Sequence, residues 1–260
     1  MGSFPQSIVH YLPVTDHDER WGIVCTTAGY QNVPPGSPYP LTQHPDSYSF
    51  TRSRGRVLGE YQLLYIVSGQ GEFRSASSPA APVKAGTVVM LFPDEWHTYA
   101  PDPETGWEEW WVGFRGENID RRVAEGFFSP KTPLLHIGHS AGIVSCYQEI
   151  IRSAEEERKG FQQLVTGIVL HLLGSVLFKR DNLQYLDNPI VEKINRAREM
   201  MRRHIGDNLP PEEIARRLNI GYTWFRRTFR AYVGIAPAQY QLQLRHNKAR
   251  ELLTTTDRTV

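Results

Sequence analysis

A chain of 260 residues is long enough for one large domain or two modest ones, and its 40% hydrophobic and 22% charged content is that of an ordinary folded protein, not a disordered one. The net charge of +1 hides an imbalance: residues 189–260 hold 14 Lys/Arg against 7 Asp/Glu, and residues 1–188 hold 15 against 21. A short basic C-terminal part thus follows a larger acidic part, which is the distribution of a nucleic-acid-binding module attached to something else.

The first residues, Met1 to Ser7, show no basic stretch running into an apolar one, so no signal peptide is expected. No window is read as reaching the roughly 18 apolar residues of a membrane span, and no membrane association is expected. Cys25 and Cys146 are the two cysteines; so far apart they make neither a disulfide framework nor a metal cluster, and they fit a reducing cytoplasm.

Up to about Gly116 the sequence is rich in Gly, Pro, aromatic and β-branched residues. Short apolar runs stand between turn signals: Leu63–Val67 before Ser68-Gly69-Gln70-Gly71, Thr87–Phe92 before Pro93-Asp94, and Trp110–Phe114. Such runs predict strands of a sandwich or small barrel, with a loop at Pro79–Pro82. After about Ser140, Ile143–Glu157 and Phe161–Lys179 read as helices with a break near Lys159-Gly160. The second is apolar on most sides and must be buried on more than one face. One face fits the β-domain or the first helix; the other fits either a second subunit or further core.

Asp181–Asn188 is a polar connector. Pro189 opens a helix with Ile190, Ile194, Ala197, Met201 and Ile205 on one side, ended by Gly206-Asp207-Asn208. Pro210 and Pro211 open a short helix with Glu212 and Glu213 in its first turn. Asn219-Ile220-Gly221 forms the turn to a third helix, Tyr222–Tyr232, with Gly221 supplying both conformational freedom and the N-cap. Gly234 and Pro237 separate it from a fourth that runs through Leu253. Ile214, Ala215, Leu218, Phe225 and Phe229 face inward. Thr223, Arg226, Arg227 and Arg230 share one outer face. Thr223, Arg226 and Arg227 suit base edges in a major groove, and Tyr222 and Arg230 suit phosphates.

The string from Pro210 to Arg230, continued by Gly234, Pro237, Tyr240, Arg245, Ala249 and Leu252-Leu253, resembles the first helix-turn-helix of the AraC family of transcription regulators. The AraC-type DNA-binding unit has two such subdomains, and only the first has a counterpart before Thr254–Val260, so weak, strongly salt-dependent DNA binding is expected of this chain alone. Tyr61–Gly71, Val83–Thr87 and Leu91–Tyr99 resemble the cupin sensor domain of sugar-responsive members, and Trp107–Phe114 extends the match. Cupins are often metalloenzymes. His97 has a place in the second cupin motif, but Arg52–Glu60 carries no histidine for the first, and His10 and His44 are remote in sequence. A single imidazole does not hold a catalytic metal, so His97 reads as a pocket or hydrogen-bonded residue and no cofactor is expected.

The resemblance places ligand contacts at Arg54, Tyr99, Glu109 and Trp111, with His97 and Trp96 beside them. Glu109 and Trp111, two apart, share a strand face; Trp107 and Trp110 read as core, and Arg54 as either a contact or a surface arginine. The implied architecture is α+β: an N-terminal cupin/jelly-roll β-barrel with its arm (1–138), a central helical dimerisation pair (139–186), and an all-α helix-turn-helix unit (187–260). The implied function is that of a homodimeric sensor and regulator, binding DNA and a small-molecule effector of the sugar class, and activating carbohydrate-use genes. A cupin metalloenzyme with a helical appendage, and a constitutive DNA-binding dimer with a filled barrel, are the alternatives.

Overall fold

The computed structural model describes residues 7–40, 48, 51, 53–185, 188–207 and 209–255. Residues 1–6 of the expected arm, His44, Arg52, Asn208 and residues 256–260 lie outside the described residues. The chain divides into two units, Met1–Leu183 and Gln184–Val260.

In the first unit the order is β1 (Ser7–Tyr11), α1 (Asp16–Glu19), β2 (Val24–Val33), β3 (Tyr61–Ser75), β4 (Ala81–Lys84), β5 (Thr87–Leu91), β6 (His97–Pro101), β7 (Trp107–Arg115), α2 (Glu117–Ala124), β8 (Leu134–His136), α3 (Ala141–Glu156) and α4 (Phe161–Asn182). All ladders are antiparallel, in the order β1-β2-β7-β3-β5-β8, with β4 and β6 also paired to β3.

The expectation of a jelly-roll barrel is corrected here: the sheet is not closed. Its path ends at β1 on one side and β8 on the other, and among the described residues no ladder joins them. The reason lies in β3. Its first half, Tyr61–Ile66, pairs with β5 and β7, and its second half, Gln70–Ser75, pairs with β4 and β6. The two halves of one long strand thus take different neighbours, so the ladders branch at β3 and leave β1 and β8 as separate edges.

The sequence also suggested a turn at Ser68–Gly71. The chain instead continues as strand through it, with a bulge between Ile66 and Ser68. Gly69 adopts φ +78°, and a Cβ there would collide with the Gly106 carbonyl oxygen.

Side chains alternate across the sheet with period two. Leu63, Tyr65, Trp110, Val112 and Phe114 join α2, α3 and α4 in one core, whereas Leu64, Ile66, Trp107 and Trp111 join Phe73, Val83 and Tyr99 in a second. Polar pins seat α3: the Tyr147 hydroxyl donates to the Leu63 carbonyl (2.9 Å), and the Tyr65 hydroxyl donates to the Gly138 carbonyl (2.8 Å) and accepts from the Ser140 N–H (3.0 Å). Ser140 in turn caps α3, accepting from the Ile143 N–H.

The 22 residues of α4 are long and apolar enough to cross a membrane by length and composition, which corrects the reading that no segment is. Its inner side carries Gln162 and Thr166 and packs Val165, Val169, Leu172, Leu173 and Val176 into the helix-side core.

The second unit holds α5 (Pro189–Arg203), α6 (Pro211–Arg217), α7 (Tyr222–Val233) and α8 (Pro237–Thr255) around Ile194, Ala197, Met201, Ile214, Ala215, Phe225 and Phe229. Asn188 caps α5 by accepting from the Ile190 N–H at 3.0 Å, with Pro189 at the first helical position.

The α6–α7 turn works differently from the sequence reading. Gly221 is the N-cap of α7 but sits at φ −65°, where any residue fits. The left-handed residue is Asn219, φ +57°, a residue type whose short polar side chain tolerates that region. Asn219→Val should therefore lower the stability of this unit by about 1–2 kcal/mol in urea unfolding, whereas Gly221→Ser, with open space around its Cβ, should be neutral or stabilising by a few tenths. Equal losses at both positions would overturn this account.

Candidate functional site

The inner concave side of the first unit holds a cavity lined by β1, β2, β3, β6, β7 and the segments around Tyr39, Tyr48 and Arg56. Of the residues expected at a ligand site, Tyr99, Glu109 and Trp111 line it; Arg54 and Trp96 do not. Arg54 is exposed, and Trp96 packs outside, its indole N–H donating to the Arg54 carbonyl at 3.0 Å.

The guanidinium in the cavity is that of Arg56. An isolated antiparallel bridge pairs Arg56 with His97, through Arg56 N–H to the His97 carbonyl (2.9 Å) and the reverse (3.0 Å). From there Arg56 donates to the Tyr99 hydroxyl (2.7 Å) and the Tyr48 carbonyl (2.7 Å).

His97 stands behind Arg56. Its Nδ1 lies 3.0 Å from the Glu95 carbonyl, so Nδ1 carries the proton, and Nε2 accepts from Arg56 Nε at 3.3 Å. Burial, helped by the Arg56 charge, pushes its pKa down to about 4. A neutral imidazole committed on both nitrogens orients the arginine. Among the described residues no group of three or more His, Cys, Asp and Glu is placed to hold a metal ion.

Two buried carboxyls face this arginine. Glu60 accepts from Gln62 (2.8 Å), the Tyr48 hydroxyl (3.0 Å) and Thr27 (3.2 Å). Glu109, 1% exposed, accepts from the Tyr39 hydroxyl at 2.9 Å through Oε1. Its Oε2 and the Trp107 indole nitrogen are both buried without a hydrogen-bond partner, although Trp107 lies close enough to favour the carboxylate. Burial pushes the Glu109 pKa up to about 7, against the opposing pulls of Tyr39, Arg56 and Trp107.

Trp111 forms a wall over Gly29, its partner on β2, where any Cβ would occupy the indole ring. The side chains leave about 20 Å³ of free space between them, room for about one water molecule.

Sequence reasoning preferred Arg54 to Arg56 and passed over Tyr39, Tyr48 and Glu60. The turn at Gly55, φ +62°, was a usable signal that the residue after it re-enters the sheet. Tyr39 and Tyr48 lie in a Pro-rich stretch with no periodicity to read.

In the second unit α7 exposes Thr223, Arg226, Arg227 and Arg230, with Trp224 beside them. Tyr222 is half-buried and hydrogen-bonded to Glu212. Arg216 and Arg217 of α6 both bond Glu213 at 2.7–2.8 Å, which holds that half-buried carboxyl down to about 2. Among the described residues no carboxylate pairs with Arg226, Arg227 or Arg230. The face expected to meet DNA is exposed and cationic.

Residues 35–173 match the family model described as the AraC-like ligand binding domain. The Msm operon regulatory protein of Streptococcus mutans is 22% identical over 200 residues, covering 76% of this chain and 71% of that protein. The raffinose operon transcriptional regulatory protein RafR of Pediococcus pentosaceus is 21% identical over 224 residues, covering 82% of this chain and 77% of that one. Among solved structures, ToxT from Vibrio cholerae is 10% identical with a TM-score of 0.26, over 72% of this chain and 91% of that chain.

The raised pKa of Glu109 carries a sign. The folded state holds this proton more tightly, so the associated stability is full below pH 4.5 and is lost as pH rises to about 7. Wild type minus Glu109→Gln should show that loss, on the order of 3 kcal/mol, in urea unfolding between pH 4.5 and 8; a pH-independent difference would refute the shift. Gly29→Ala should displace the Trp111 ring, changing its fluorescence maximum, and the additional substitution Trp111→Leu should recover the stability lost. Unchanged emission would mean that Gly29 does not set the ring.

Proposed function

We propose, because the chain belongs to the family of the AraC-like ligand binding domain, that it is a ligand-responsive, DNA-binding transcription regulator. The observation that carries this reading is the union in one chain of that family's sensor domain, with an aromatic cavity around Arg56 and Glu109, and a helical unit whose turn presents an exposed basic helix.

The effector is a sugar. Its C–H faces suit Trp111, Tyr99 and Tyr39, and its hydroxyls suit Arg56, Glu109 and Gln62. Two of the relatives are regulators of operons, one of them named for raffinose. With about 20 Å³ free, a sugar enters by displacing tyrosine side chains, so binding reshapes the cavity wall.

DNA contact falls to α7: Thr223, Arg226 and Arg227 to base edges, and Arg230 to phosphate. The chain acts as a homodimer through the exposed side of α4, where Leu164 and Phe178 are 52% and 68% exposed and Gly167 and Gly174 allow close approach.

Titration with mono- and oligosaccharides, raffinose included, should give a saturable change in tryptophan fluorescence that Trp111→Ala abolishes and Trp224→Phe retains. Silence across the panel would sink the sugar assignment and leave the regulator reading standing.

On duplex DNA, Arg226→Ala should cost about 1–3 kcal/mol on preferred sequences and less on others, and Arg230→Ala should lower the salt slope by about 1 on all of them. Loss of sequence preference with Arg230→Ala and not with Arg226→Ala would reverse the two roles.

A further inference from the structure

Strands β1 and β2 pair with Tyr11 opposite Thr27, and the Leu12 N–H donates to the Thr26 carbonyl at 2.8 Å. The next pair in that register is Pro13 with Cys25. The Leu12–Thr26 bond makes Pro13 opposite Cys25 a position that does not hydrogen-bond across an antiparallel pair, and the strand pairing ends at Tyr11 with Thr27, so β1 supplies no further rung. Gln162, in the first turn of α4 and 2% exposed, takes its place. Its Oε1 accepts from the Cys25 N–H at 3.0 Å, and its Nε2 donates to the Cys25 carbonyl and the Pro13 carbonyl, both at 2.9 Å.

All hydrogen-bonding positions of one side-chain amide except one lone pair are thus spent on the backbone of β2 and of the segment that follows β1. Beside it, Gln163 donates to Asp18 at 2.9 Å, which closes the capping box of α1 with Thr15.

Cys25 stands at the bulge of β2, where pairing with β7 slips between Cys25 and Thr27. On the far side of that bulge Thr27 lines the cavity and donates to Glu60 at 3.2 Å. Two residues of β2 therefore separate the cavity wall from the α4 anchor, and the bulge between them bends the strand and interrupts its ladder locally.

We propose that Gln162 is a positioning residue that couples the cavity wall to α4: a displacement of Thr27 and Glu60 moves the Cys25 backbone, and the Gln162 amide carries the first turns of α4 with it. The inference builds on the sensor reading, but its test needs no effector, so the two can fail separately.

The experiment is hydrogen–deuterium exchange of the full chain in a double-mutant cycle. Thr27→Val removes the hydroxyl bonded to Glu60 and keeps the side-chain shape. It should change exchange in the first two turns of α4 several-fold, and this response should vanish in the Gln162→Leu background. A merely structural glutamine gives additive effects, so an equal response to Thr27→Val in both backgrounds overturns the proposal, as does no response in either. If Gln162→Leu fails to fold by near-ultraviolet circular dichroism, Gln162→Glu serves in its place. It keeps an acceptor for the Cys25 N–H and loses both donated bonds, and it too should abolish the response.

Discussion

Strand β7 has to satisfy two interiors at once. Trp110, Val112 and Phe114 enter the core shared with the helices, and Trp107, Glu109 and Trp111 enter the concave side. A strand covered on both faces has no solvent side on which to place a polar residue, so Glu109 is buried by position alone. Space on the concave side is made by two glycines that face it across the ladders. Gly29 leaves room for the Trp111 ring, and Gly113 leaves room for the contact between Thr27 and Glu60. Neither has a positive φ. They are needed for volume and not for backbone freedom.

Burial of that side sets the electrostatics of the cavity. Removing Arg56 from water is tolerable only if its donors are used and its charge is balanced. Tyr99 and the Tyr48 carbonyl take its donors, and Tyr48 and Gln62 link it to Glu60, whose oxygens accept three bonds. The Arg56 charge favours the ionised form of Glu109, but burial of that carboxyl outweighs it and raises its pKa. A carboxyl whose pKa is raised to about 7 can donate a hydrogen bond when protonated as well as accept when ionised.

Helix boundaries were the most legible features in the sequence, because local chemistry decides them. Pro189 and Pro237 begin helices where proline is tolerated, and Gly160 and Gly234 take the left-handed conformations that separate them. The shared face of Glu109 and Trp111 followed from the strand period alone. The choice between Arg54 and Arg56 did not, since it turns on a single bridge to His97, a pairing 41 residues away in sequence. Closure of the sheet was equally illegible: it depends on whether two edge strands meet, and no residue within β1 or β8 records that. At the α6–α7 turn, glycine drew attention as the flexible residue, while the neighbouring asparagine took the left-handed conformation. Both residue types reach that region, and only tertiary geometry selects between them.

The second unit shows how a modest charge excess becomes a directed one. Arg216 and Arg217 on α6 are drawn onto Glu213, and Arg196 and Arg203 on α5 onto Glu192 and Glu199. Such exposed pairs contribute little to stability, but each cancels a positive charge locally. Arg226, Arg227 and Arg230 on α7 have no such partner among the described residues. Their field is reinforced at the start of α7, the positive end of the helix dipole, where Gly221 offers no side-chain cap. Pairing on α5 and α6 cancels part of the charge there, while Arg226, Arg227 and Arg230 remain uncancelled by a carboxylate among the described residues. A polyanion near this face meets three arginines of one helix whose charge is not offset by a neighbouring carboxylate among the described residues.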